Sequence, residues 1–210
     1  MGTIENVKDF FEVFPTLKMP ERLQNLFQNV KVRKITTNSR RDFLHVYIHS
    51  THVIQKKFIF LMEEQIQRQL FPDAGIVIKI KEKYTLSVQY TPQALMEEYR
   101  DSILLEFKET SILAASMFEQ AHIRFEDGNV LCLELVNTVV SAGRQEVIVA
   151  LLNEVFNERF QMETEIRVTY KDKESTSQRE YDEQRIQREI DAIFRRSRQN
   201  KNEDAPENMP

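Results

Sequence analysis

The tightest constraint on this chain is a change of period. Between residues 120 and 170 the apolar side chains alternate in twos, then recur in threes and fours, then alternate in twos again. Residues 122–126 alternate into Asp127-Gly128, a pair that favours a tight hairpin turn because both residue types tolerate positive φ. Residues 130–136 return with Leu131, Leu133 and Leu135 on one face. From 145 to 160, Ile148, Leu151, Leu152, Val155, Phe156 and Phe160 make one stripe of an amphipathic helix. Residues 165–170 close the unit as a strand with Ile166, Val168 and Tyr170 facing in. The same order occurs about ninety residues earlier, with a hairpin over 30–50, a helix over 54–71 and a strand over 76–83. Phe58, Leu61, Ile66, Leu70 and Ile78 precede Ile148, Leu151, Phe156, Phe160 and Val168 by that interval. The fold class expected is therefore α+β: two small tandem modules, each helix-β-β-α-β. A right-handed crossover is expected to set the third strand of each parallel to the first strand of its hairpin.

The remaining elements fit around these modules. Residues 6–14 read as a short helix with Val7, Phe10, Phe11 and Phe14 on one side, stopped by Pro15. Pro20 suits the first turn of a second helix carrying Leu23, Leu26 and Phe27. Thr91 before Pro92 combines an N-cap residue with proline at the first helical position, and Leu95, Tyr99, Ile103 and Phe107 then step by four. Residues 110–118 read as a short helix that introduces the second copy. The division expected is a first module over 1–90, a connecting helix over 91–107, a second module over 108–171, a charged helix over 172–200 and an acidic linker over 201–210.

Composition narrows the functional classes. With 41% apolar and 30% charged side chains, 210 residues suffice for two small cores. A net charge of -4 argues against a surface that is basic throughout, while leaving room for a local basic face. The single cysteine, Cys132, lies on a strand and reads as a small buried side chain rather than a reactive thiol. No apolar run approaches the length of a membrane span and no leader is recognisable, so a cytoplasmic location is expected.

Candidate binding residues come from the outward faces. In the first hairpin Leu44, Val46 and Ile48 face in, which leaves Phe43, His45, Tyr47 and His49 outside. On the third strand Ile76, Ile78 and Ile80 face in, so Lys79, Lys81 and Lys83 form an outward row. With Lys31, Arg33, Arg40 and Arg41, and with Phe43 and Tyr47 as rings between the cations, this face has the residue types of a single-stranded DNA platform. Lysines on a solvated strand also keep sheet edges from pairing with other chains, so the same row has a purely structural reading. His45 and His49 are roughly 13 Å apart on an extended strand, too far to share one metal ion. Protein docking has its own candidates. Phe60 and Phe71 project away from the apolar stripe of their helix, and Ile186, Ile190 and Phe194 form a narrow seam on the charged helix.

The element order is similar to that of nucleic-acid-binding domains of the K-homology kind, yet neither copy has their Gly-x-x-Gly loop. A second resemblance spans nearly the whole chain. Two such modules, the stretch 32–80, the helix with Tyr99-Arg100-Asp101-Ser102, and the charged helix over 178–198 running into an acidic linker resemble the amino-terminal region of the PolC-type DNA polymerase III alpha subunit of low-GC Gram-positive bacteria. The resemblance implies a non-catalytic region of a polymerase whose full chain carries DNA-directed polymerase and 3'-5' exonuclease activities. It implies no cofactor, metal, small-molecule substrate or membrane for this region. The first reading is a protein-interaction module that tethers the polymerase within the replisome, with the clamp-loader tau subunit as a partner; the alternative is an auxiliary single-stranded DNA-binding module.

Overall fold

The computed structural model describes residues 7–137 and 143–172. The expected charged helix, its Ile186–Ile190–Phe194 seam and the acidic linker lie outside them. The described chain is α+β, and nearly all of it falls in one unit, Met1–Tyr170.

The first sheet has four strands in the order β1 (Lys8–Asp9), β2 (Lys31–Thr37), β3 (Phe43–Ser50), β4 (Val77–Tyr84). Lys8 and Asp9, expected at the start of a helix, instead pair antiparallel with Val32 and Lys31, and Asp9 forms an ion pair with Lys31 at 2.5 Å. Pairing with an open strand satisfies backbone groups that an isolated first turn leaves unbonded. Only Phe10–Val13 (α1) is helical there, and it seats Phe10 in the core at van der Waals distance from the rings of Phe14 and Phe27. Helix α2 (Glu21–Phe27) adds Leu23 and Phe27 to the same core.

Two corrections concern α3 (Lys56–Leu70) and the strand after it. The buried face of α3 is Lys56, Ile59, Met62, Glu63 and Ile66; a stripe of Ile54, Phe58, Leu61, Met62 and Ile66 was expected to cover the sheet, and of these Leu61 is exposed and Phe58 only half-buried. Five consecutive apolar residues from Phe58 to Met62 permit either phase, and the decision falls to two charged residues that find partners inside. Strand β4 lies parallel to β3, the second strand of the hairpin, and not beside the first. The outer flank of β2 is already taken by β1, so the free edge for the returning chain is that of β3.

The second half repeats the elements with local differences. Helix α4 (Pro92–Thr110) starts as the sequence predicts, with Thr91 Oγ1 accepting from the Ala94 N–H, and Leu95, Tyr99, Ile103 and Phe107 are all fully buried. Helix α5 (Ile112–Gln120) leads into a sheet ordered β5 (His122–Glu126), β6 (Val130–Asn137), β7 (Glu165–Asp172). Asp127 and Gly128 both take positive φ, 49° and 79°, as a tight turn there requires. Leu131, Leu133 and Leu135 are buried, and so is Cys132. Tyr170, expected to face in, is 39% exposed, and its hydroxyl donates to Gln145.

The helix that crosses the second sheet is α-helical only as α6 (Gln145–Asn153); residues Glu154–Arg159 form a π-helical turn. The wider turn brings Val155, Phe156, Arg159 and Phe160 all inside. Phe160 stacks on Tyr84 of β4 at 4.4 Å and meets Tyr99 edge-on at 5.2 Å, which joins the two halves through aromatic contact.

Candidate nucleic-acid interface

Ladder register decides which outward side chains share a surface. Along β3 the residues Phe43, His45, Tyr47 and His49 all point away from the core, and on β4 they face Val77, Lys79, Lys81 and Lys83 in turn. Ring centroids are 6.2 Å apart from Phe43 to His45 and 6.4 Å from His45 to Tyr47, the spacing of alternate residues on a strand. A column of four rings is thus flanked on one side by a column of lysines.

On the other side a bulge re-aims the chain. Between Val32, which faces Ile48, and Lys34, which faces Tyr47, the register of β2 slips by one at Arg33. Strict alternation predicts Arg33 on the outer face and Lys34 turned away; the bulge puts Lys34 there, with its ammonium 4.3 Å from the centre of the Tyr47 ring. Lys34 is the residue that sequence reasoning missed, because nothing in Lys31-Val32-Arg33-Lys34 marks the slip. Three cross-sheet rows result: Lys31–His49–Lys83, Lys34–Tyr47–Lys81 and Thr36–His45–Lys79. Lys31 is held by Asp9, and Lys79 lies 3.4 Å from Glu63, whereas Lys81 and Lys83 make no ion pair among the described residues. Arg40 and Arg41 are exposed in the turn beyond Phe43, with Arg41 at φ 58°, and Asn38 holds that turn by accepting from the Asp42 and Phe43 N–H groups.

The imidazole of His49 is held below the ordinary histidine range by partial burial first and then by the charges of Arg33 and Lys83. It is therefore neutral near neutral pH, and its Nε2 lies 2.9 Å from Thr85 Oγ1. The column sets rings in the centre and positive charge at the flanks.

A cleft of about 620 Å³ borders the platform at Lys34, Tyr47, Lys81 and Lys83. One side carries Arg33, Lys34, Tyr47, Lys81 and Lys83; the other carries Glu106, Glu154 and Glu158. Below it sits a buried ionic cluster. Lys56 Nζ donates to Glu82 at 2.6 Å and is 3.5 Å from Glu106; Arg159 donates to Glu106 at 2.6 and 3.0 Å and to the Tyr99 hydroxyl at 3.3 Å, and reaches Glu82 at 3.2 Å. Burial alone would raise the carboxyl of Glu82, but Arg159 and Lys56 outweigh it and hold the group below the usual carboxylate range. Burial pushes the Tyr99 phenol far above its ordinary value, so it stays protonated. The cluster draws residues from α3, β4, α4 and the π turn, and so fixes the acidic side of the cleft against the basic sheet.

The docking candidates are placed differently. Phe60 is half-buried, with Lys56 and Lys79 ammonium groups 5.5 and 5.6 Å from its ring, and it borders an open groove of about 560 Å³ with Glu64, Ile76 and Glu109. Phe71 is half-buried against the core at the end of α3. Neither joins the ring column. Among the described residues no group of histidine, cysteine and carboxylate side chains is arranged to hold a metal ion, and no helix is long and apolar enough to cross a membrane.

Residues 9–80, which hold β1, the hairpin, α3 and the first half of β4, match the family described as DNA polymerase III polC-type N-terminus I. No curated protein and no solved structure matches the chain.

Proposed function

We propose, from the match of residues 9–80 to the family described as DNA polymerase III polC-type N-terminus I, that this chain is part of a DNA-replication protein and serves there as an auxiliary platform for single-stranded DNA. The observation that carries the reading is the column Phe43–His45–Tyr47–His49 with Lys79, Lys81 and Lys83 along one flank and Lys34 along the other. Bases stack on rings without regard to sequence, and the flanking ammonium groups neutralise the phosphates on either side. Such a surface holds exposed template near a polymerase and needs no catalytic group of its own. A replicative role of this kind fits a cytoplasmic location.

The test is fluorescence anisotropy of a labelled oligothymidylate titrated with the full chain. Four phosphate contacts, from Lys34, Lys79, Lys81 and Lys83, give a salt slope of about -2.8, so affinity falls roughly fiftyfold between 50 and 200 mM salt. Lys79→Glu combined with Lys81→Glu abolishes binding if the reading is right. A titration that stays flat at low salt refutes it.

A second reading has its own observation. The groove beside Phe60 is open and part apolar, which suits docking of a replisome protein, with the clamp-loader tau subunit as the partner to titrate. Phe60→Ala removes that binding and leaves the oligonucleotide titration unchanged.

A further inference from the structure

The cleft that borders the ring column at Tyr47 has walls of opposite charge, and this bears on where along a strand the platform binds. Resting on the DNA-platform reading, we propose that the cleft is a subsite for a terminal nucleoside, so that the protein prefers the ends of single strands to their interiors. A strand laid along the rings from Phe43 meets the cleft at Tyr47, Lys81 and Lys83, which line both. Its far side is lined by Glu154 and Glu158. Glu158 is exposed and makes no ion pair among the described residues, and Glu154 is 44% exposed with one contact to Arg159 at 3.2 Å. An interior nucleotide entering here brings a phosphate on each side of its sugar, and the outer one meets two carboxylates. A terminal nucleoside brings a free hydroxyl and base N–H groups, which donate to those carboxylates, while its one phosphate stays on the lysine side. The volume of about 620 Å³ accommodates one nucleoside and its hydration. The walls are not free to separate, because Arg159 on the π turn is locked to Glu82 and Glu106 beneath them.

The experiment is calorimetric titration of the full chain with a linear oligothymidylate of about thirty residues, the same strand closed into a circle, and linear strands carrying a phosphate at the 3′ or the 5′ end. The circle is expected to bind about tenfold more weakly than the linear strand, a difference of about 1.4 kcal/mol. Phosphate at one of the two ends reproduces that loss, and phosphate at the other does not. Glu154→Gln combined with Glu158→Gln removes the distinction between circle and linear strand while Lys81 and Lys83 still bind both. Equal affinity of wild-type protein for circle and linear strand overturns the end preference and leaves the platform standing. Persistence of the preference in the double glutamine variant also overturns it. Failure of every strand to bind refutes the platform itself.

Discussion

Removing the guanidinium of Arg159 tests the reasoning about the buried cluster most severely. The side chain is 5% exposed and its nitrogens serve Glu82, Glu106, Glu154 and the Tyr99 hydroxyl. Arg159→Met keeps most of the stem volume and deletes the charge. Glu82, whose side chain is 1% exposed, is left with Lys56 alone, and Lys56 is shared with Glu106. Breaking a buried pair from one side costs about 3–5 kcal/mol because a charge remains without compensation. For a unit of this size each kcal/mol is worth about 2–4 °C in Tm, so the expected fall is on the order of 10 °C. The pH dependence gives a second reading. In the native protein Glu82 sits below the ordinary carboxylate range, so it contributes stability above its unfolded value that is lost as pH falls through the folded one. Without Arg159 burial dominates, the folded value moves above the unfolded one, and acid then relieves the strain. The deficit of the variant is therefore largest near neutral pH and shrinks toward pH 5. Thermal unfolding by circular dichroism, with urea titrations at both pH values, measures it. A deficit below about 1 kcal/mol, small beside the effects expected for a buried pair, or one of equal size at both pH values, refutes the account. Adding Glu82→Gln to Arg159→Met is expected to recover part of the loss.

Three further outcomes follow from other parts of the structure. Tyr47→Ala removes the central stacking ring and is expected to weaken oligonucleotide binding by about 1–3 kcal/mol in the anisotropy titration, with no change in the salt slope. Burial raises the carboxyl of Glu63 above its ordinary range although it accepts from the Ile80 N–H at 2.7 Å, so its charge is a liability near neutral pH. Glu63→Gln keeps an acceptor for that N–H; it is expected to raise Tm near pH 7 and to have no effect near pH 4, where the native carboxyl is already protonated. Protonation of His49 below its depressed range adds a cation between Lys83 and Lys31, so strand binding tightens as pH is lowered, and His49→Asn blunts that gain in titrations at pH 5 and pH 7.

Legibility in the sequence followed the range of the interactions. Helix α4 was readable to its first residue because Thr91, Pro92 and the four-residue steps from Leu95 to Phe107 are local signals that agree. The Asp127-Gly128 turn and the outward ring column of β3 were readable for the same reason. What stayed hidden depends on partners far along the chain. Lys56, Glu63, Glu82 and Arg159 look like solvated residues in sequence; they are buried because each meets a complement tens of residues away. The phase of α3 turns on two of them. The bulge that places Lys34 under Tyr47, the pairing of Lys8 and Asp9 with β2, and the π turn that carries Arg159 inward are all choices made by packing against a second element, with no residue type that announces them.

The ionic cluster also orders events during synthesis. Lys56 and Glu82 emerge from the ribosome well before Glu106, and Arg159 comes last, after all of the second hairpin. Until then the emerged chain holds two carboxylates, Glu82 and Glu106, against the one ammonium of Lys56 in what will become its interior. A nascent chain paused before Arg159 is thus expected to be loosely closed along β4 and vulnerable to protease there, and to tighten in one step when that residue arrives. By the same logic, a fragment cut after residue 107, where the second module was expected to begin, keeps Glu82 and Glu106 with Lys56 alone and lacks the cation that completes the cluster.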